Sequence, residues 1–172
     1  MQMSSFFSAL ALGSAALLAA HPAVAQQKLV PAQSEVQFTA RQMGVPLEGH
    51  FKKFDAQVSF DPAKLATSKI VFTVDTGSAT MGSRETDAEL PKATWFNVPQ
   101  FPQATFQSSA IKALGAGKFE VTGKLSIKGM ARDVVVPVTL VQNGATTLAT
   151  GALPLKRLAF KIGENEWADT SM

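Results

Sequence analysis

The chain has 172 residues with no cysteine, two histidines and no tyrosine, which excludes a disulfide framework, a thiolate metal site and a cysteine nucleophile. Its formal charge is only +3, from 16 basic and 13 acidic residues. Lys and Arg are scattered, singly or at most in adjacent pairs, whereas nucleic-acid binders gather them on one face or helix.

The first charged side chain is Lys28. Before it runs an apolar stretch from Phe6 to Ala20, then His21-Pro22 and Ala23-Val24-Ala25. An apolar segment followed by a small-x-small site predicts a secretory leader over residues 1–25, although Met1-Gln2-Met3 lacks the usual basic residue. The alternative, an uncleaved anchor, is disfavoured by Pro22 and by the cleavage site. Export to the periplasm is the localisation this predicts. No later run approaches the ~20 apolar residues of a membrane helix.

From residue 34 onward the chain reads in twos. Val36, Phe38 and Ala40 alternate with polar residues, as do Phe54, Ala56, Val58 and Phe60, and then Ile70, Phe72 and Val74. Residues 76–100 interrupt the rhythm. Arg84 to Leu90 predicts a short helix with Ser83 as its N-cap and Thr86 or Asp87 near the third position. Trp95-Phe96 follows, placed either to plug one end of a core or to touch a ligand. Phe119, Val121, Gly123, Leu125 and Ile127 resume the alternation. Val134, Val136, Val138 and Leu140 continue it, and Leu148, Thr150 and Ala152 form a weaker run. Period 2 in β-branched and aromatic residues means half-buried strands. Gly115-Ala116-Gly117, Lys128-Gly129-Met130 and Gln142-Asn143-Gly144 predict short hairpin connections. At least seven antiparallel strands fit between residues 34 and 155, enough to close into a barrel or split into a sandwich.

Two motifs suggest chemistry. Val74-Asp75-Thr76-Gly77-Ser78 has the form of an aspartic-protease signature, in which two close carboxylates share a proton. Only one copy is present, so a hydrolase built on Asp75 requires a symmetric dimer; otherwise the motif is a strand ending in a polar turn. Gly115-Ala116-Gly117-Lys118 fails the phosphate-loop spacing and reads as a turn. The aromatic residues Phe38, Phe51, Phe54, Phe72, Phe106 and Phe119 share alternating faces with the small residues Ala40, Ser108, Gly123 and Ala152. Large walls with small gaps suit a cavity, and a solid core is an equal reading of the pattern.

Longer stretches resemble a known family. These are Ser34-x-Val36-x-Phe38, Gly49-His50-Phe51-x-x-Phe54, Trp95-Phe96-Asn97-Val98 with Phe101-Pro102-Gln103-Ala104-Thr105-Phe106, and Gly123-Lys124-Leu125-Ser126-Ile127-Lys128-Gly129. Together they are similar to the YceI family of periplasmic polyisoprenoid-binding proteins, from about residue 27 to the C-terminus. The resemblance implies an all-β fold, a lipocalin-like antiparallel barrel of eight strands with a short helix in the long loop near 84–98. It implies a hydrophobic tunnel holding an isoprenoid lipid or quinone, with no catalytic residues, metal or other cofactor. On that reading the tunnel walls are Phe38, Phe54, Phe72, Phe106, Leu125, Ile127 and Val136. Trp95 and Phe96 guard an end, and Arg84, Lys92 or Arg157 meets a polar head group. The family association also points to a cytochrome b561-type membrane partner and leaves a homodimer open. Two departures stand out. Many relatives carry Arg-Asp-x-His-Leu where this chain has Arg84-Glu85-Thr86-Asp87-Ala88-Glu89-Leu90, and they continue into a last strand where this chain stops at Met172. A fragment of a longer natural chain, short of its eighth strand, is therefore expected. A ligand-free structural or stress-related partner protein is the remaining alternative.

Overall fold

The computed structural model describes residues 26–42 and 44–168. The expected leader lies outside them. Among the described residues there are ten strand segments, all paired antiparallel. In chain order they are β1 (Gln27–Lys28), β2 (Val36–Gln42), β3 (Val45–Phe51), β4 (Phe54–Ser59), β5 (Lys69–Asp75), β6 (Ala79–Thr80), β7 (Gln103–Gly115), β8 (Lys118–Ile127), β9 (Met130–Asn143) and β10 (Thr146–Gly151). They form a seven-stranded sheet in the order β1-β4-β5-β7-β8-β9-β10 and a three-stranded sheet in the order β2-β3-β6. The expected lipocalin-like all-β architecture is present as a curled half-barrel. The ring is not closed: among the described residues no strand of one sheet is hydrogen-bonded to a strand of the other.

Three hairpins give the large sheet its sequential half. The β8–β9 loop is two residues, with Lys128 at φ 48 and Gly129 at φ 73 between the paired Ile127 and Met130. Positive φ at both positions is the turn whose twist matches flanking strands. The β9–β10 turn falls one residue later than the sequence suggests, on Gly144-Ala145, since Asn143 already pairs with Thr146. Curling is visible in two rings. Phe60 follows β4 and Phe119 opens β8, three interstrand steps away, which is about 14 Å on a flat sheet. Their centroids are 5.3 Å apart and perpendicular, so the concave face meets itself there.

Two of the chain's four passages between the sheets lie side by side at a single corner. β3 runs into β4 through Lys52-Lys53, and β5 runs into β6 through the 3-10 turn Thr76–Ser78. That turn holds the corner together. The Lys52 N–H donates to the Ser78 carbonyl, the Asp75 N–H to the Lys53 carbonyl, and the Lys53 N–H to Ser78 Oγ at 3.0 Å.

The tightest packing lies at one end. Leu90, Phe96, Ile127 and Phe160 are buried together, with Phe51, Met81, Leu125, Met130 and Ile162 packed around them. The long loop and the C-terminal segment both contribute, and they are zipped by N–H groups of Gly163 and Glu164 donating to the Thr94 carbonyl. The helix α1 (Arg84–Glu89) forms as expected, but the expected cap does not: the Ser83 side chain makes no capping bond. Asp87 instead turns away from its own helix to accept from Thr80 Oγ1 at 2.5 Å and from the Met81 N–H at 2.7 Å.

Candidate functional site

Alternation along the strands separates an outer polar face from an inner apolar one. Directly paired residues share a face, so the register traces the inner rows. One rung crosses five strands: Ala56 pairs with Phe72, Phe72 with Phe106, Phe106 with Leu125, and Leu125 with Arg132. A second runs from Val121 to Val136, and a third from Gly123 to Val134. Phe54, Phe72, Phe106, Leu125, Val134, Val136 and Val138 on these rows are half-buried rather than buried. The result is an apolar trough. At one end Phe60 and Phe119 meet across it; at the other sits the plug containing Ile127. Phe119 and Ile127 are eight residues apart on β8, about 27 Å at strand rise.

The sequence-derived wall residues fall into distinct settings. Phe54 and Phe72 stack at 6.0 Å on the trough floor. Phe38 lies on the inner face of the smaller sheet, 5.2 Å from Phe51, which in turn is 5.8 Å from Phe96. Val136 faces inward opposite Val121. Phe96 and Ile127 belong to the buried plug, at 9% and 8% exposure. Trp95 packs on Trp167 at 5.5 Å, and its buried indole N–H has no acceptor among the described residues. Arg84 is exposed on the first turn of α1. Lys92 pairs with Glu89 on the surface. Arg157 directs its guanidinium to the carbonyls of Ile162, Gly163 and Trp167.

Small residues on the inner face do not open space as their size suggests. A Cβ added at Gly123 would lie 2.6 Å from Phe106 Cζ, because the Phe106 ring lies flat over that glycine. Phe38 covers Gly49 in the same way, with Cε2 2.7 Å from an added Cβ. Both glycines let an aromatic ring lie down on the sheet and smooth its surface.

At the corner between the sheets a cleft of about 670 Å³ opens, bordered by Phe51 and Phe54 on its apolar side and by Glu35, His50, Lys52 and Lys53 on its polar side. Nearby, the Asp87 carboxyl is held below its ordinary value. The Thr80 hydroxyl is the largest cause, then the Met81 N–H, with the positive charges of Lys52 and His50 adding to them against partial desolvation. Asp75, the residue of the protease-like motif, accepts from the N–H of Gly77 at 2.9 Å within its own turn. Its neighbour Thr76 is buried and donates to the Phe101 carbonyl. No cluster of three or more His, Cys, Asp or Glu suited to a metal ion occurs among the described residues.

A curled antiparallel half-barrel with an apolar concave face places the molecule in the lipocalin-like class. Residues 27–172 match the YceI-like domain, and the chain belongs to that family. A UPF0312 protein of Azotobacter vinelandii is 36% identical over 140 residues, covering 79% of this chain and 72% of the relative. Among solved structures, Burkholderia cenocepacia BcnA superposes with a TM-score of 0.80 at 50% identity, covering 83% of this chain and 89% of BcnA. A polyisoprenoid binding domain from Saccharophagus degradans, implicated in plant cell wall breakdown, shares the fold at a TM-score of 0.58 and 14% identity, covering 74% and 75% of the two chains.

Proposed function

We propose that this protein is a non-catalytic carrier that holds a long-chain lipid of isoprenoid type, such as a prenyl quinone, in its trough. The observation carrying this reading is the trough itself: continuous rows of Phe, Leu and Val that stay half-exposed although they lie on the inner face. Covering such rows with a chain gains ~0.8 kcal/mol per buried CH₂. The family membership and the polyisoprenoid-binding neighbour of the same fold support it. We further propose that the carrier works in the periplasm after loss of residues 1–25, handing its lipid to a membrane partner of the cytochrome b561 type. The position of Asp75, whose carboxylate caps its own turn at the corner, favours this over a hydrolase.

Organic extraction of the protein purified from periplasm, followed by mass spectrometry, tests the reading. A co-purifying prenyl lipid, or stoichiometric uptake of an added prenyl quinone, is expected. Repeated recovery of lipid-free protein that takes up no quinone would overturn it.

A further inference from the structure

The β9–β10 hairpin brings together two groups that react with each other. Asn143 is the last residue of β9 and pairs with Thr146, so Gly144-Ala145 forms the turn. Gly144 holds a left-handed φ of 59, and a Cβ added there would meet nothing within 4 Å. The Asn143 side chain is exposed, and its carboxamide makes no hydrogen bond among the described residues. The Gly144 N–H likewise donates to nothing among them. Electrophile and nucleophile are therefore adjacent, free and open to water. Nearby and comparable amides are engaged. Gln142 Nε2 donates to the Gly144 carbonyl at 2.6 Å, and its Oε1 accepts from the Thr147 hydroxyl at 2.6 Å. Asn97 Nδ2 donates to Gln100 at 3.0 Å, and the N–H that follows it, of Val98, is bonded to the Pro91 carbonyl. Asn165, the remaining asparagine of the chain, is followed by Glu166. Asn143 alone precedes a glycine, whose missing Cβ lets the backbone nitrogen approach the side chain before it. Asparagine amides are among the thermolabile groups of proteins.

We propose that Asn143 is a site of spontaneous deamidation, which makes the β9–β10 hairpin an ageing point of the large sheet. The Gly144 nitrogen gives up its proton to water and bonds to Asn143 Cγ. The Cγ–Nδ2 bond breaks and ammonia leaves, closing a succinimide ring. Water then opens the ring at either carbonyl. Opening at Cγ leaves an aspartyl residue. Opening at the backbone carbonyl leaves an isoaspartyl residue, whose main chain runs through Cγ and is longer by one carbon. No electron is gained or lost. Residues 134–155 carry no charged side chain, so either product puts a first charge into that run. The isoaspartyl form also lengthens β9 inside its closing pair with Thr146. Strand pairing has a strict period of two, and an added backbone atom breaks it. β10 is an edge strand exposed along its whole length, so it loses its register, whereas β8 is held on both sides and keeps its own.

The test follows the amide in the full purified chain, kept in mildly alkaline buffer and sampled over weeks, with a zero-time sample to correct for losses during digestion. Trypsin, cutting after Arg132 and Lys156, releases residues 133–156 with Asn143 as their one asparagine. Aspartyl and isoaspartyl forms of this peptide are expected, told apart by electron-transfer fragmentation, and they accumulate faster at higher pH because the nitrogen attacks without its proton. Asn97 and Asn165 are expected to keep their amides over the interval in which Asn143 loses half of its own, and Gly144→Ala to prolong that interval severalfold. Isoaspartyl protein isolated by ion exchange is expected to lose hydrogen-exchange protection in Thr146–Gly151 and to keep it in β8. Asn143→Asp, which brings the charge without the longer chain, is expected to keep both. A folded chain whose Asn143 amide outlasts those of Asn97 and Asn165, or stays intact after a synthetic peptide of residues 133–156 has been converted, overturns the proposed site. Unchanged protection of β10 in the isoaspartyl protein overturns the ageing of the sheet. None of these outcomes depends on a bound lipid, so the carrier reading stands or falls separately.

Discussion

Single residues decide how smooth the trough is. Gly123 reads in the sequence as a gap among large neighbours, and in the structure it is the bed on which the Phe106 ring lies. Gly123→Ala would drive a methyl into that ring and against the Gln107 carbonyl. A loss of ~1–3 kcal/mol in a urea titration is expected, the usual penalty for overpacking. Pairing it with Phe106→Ala recovers only the ring's share, since the carbonyl remains. Asp87 sets a pH limit. Its folded pKa lies below its unfolded one near 3.8, so its contribution is complete above that value and is lost as pH falls through the folded pKa. Acid titration of stability is expected to drop below about pH 4 in the parent, and this drop is shallower in Asp87→Asn. Asp75 shows how far a motif reaches. Its string of letters was legible, but a carboxylate that caps a turn and one that activates a water are written alike in one dimension. The bond that its carboxylate accepts from the Gly77 N–H distinguishes them.

At the level of elements, period 2 located β2, β4, β5, β8, β9 and β10 to within a few residues. Four escaped it: β1 and β6, of two residues each, are too short to show a period, and β3 and β7 escaped for other physical reasons. β3 contains Pro46 and Gly49, which suppress a strand signal; Pro46 lies opposite Arg41 of β2, and because β3 meets β6 only at His50 and Phe51 its edge away from β2 is open at Pro46. β7 carries a bulge between Ser108 and Ala110, so its inner row shifts from even to odd numbers and the alternation cancels. The inner position of Arg132 escaped as well, because Ala131-Arg132-Asp133 is polar on both faces and shows its parity only through the register with β8. The β8–β9 hairpin is tied to the C-terminal segment by Lys128, whose buried side chain donates to the Lys161 carbonyl and pairs with Glu164 at 3.0 Å. Glu164 is 41% exposed, so the ion pair itself contributes little. The unpaired carbonyl dominates, and Lys128→Met is expected to lower stability by ~2 kcal/mol in chemical denaturation.

For the whole molecule, the fold class was readable because a long run of half-buried strands joined by tight turns has few ways to bury one face. The closure of the barrel was not, since it depends on which edges find partners across the chain, and the described residues leave the two sheets separately bonded. The arrangement of the hairpins has a kinetic consequence. From β7 to β10 every strand neighbours the next in both sequence and space, so this meander requires only short loop closures. The corner, by contrast, joins residues of distant strands through Lys53 and Ser78. Contacts close in sequence form first because they cost less chain entropy. Residues 103–151 are therefore expected to assemble as the nucleus onto which the corner and the smaller sheet later dock. Pulsed hydrogen exchange during refolding would register this as early protection of β8 and β9, the two strands flanked on both sides within the meander, ahead of β2 and β3. Simultaneous protection of β2 and β8 would instead mean that the two sheets condense in one step.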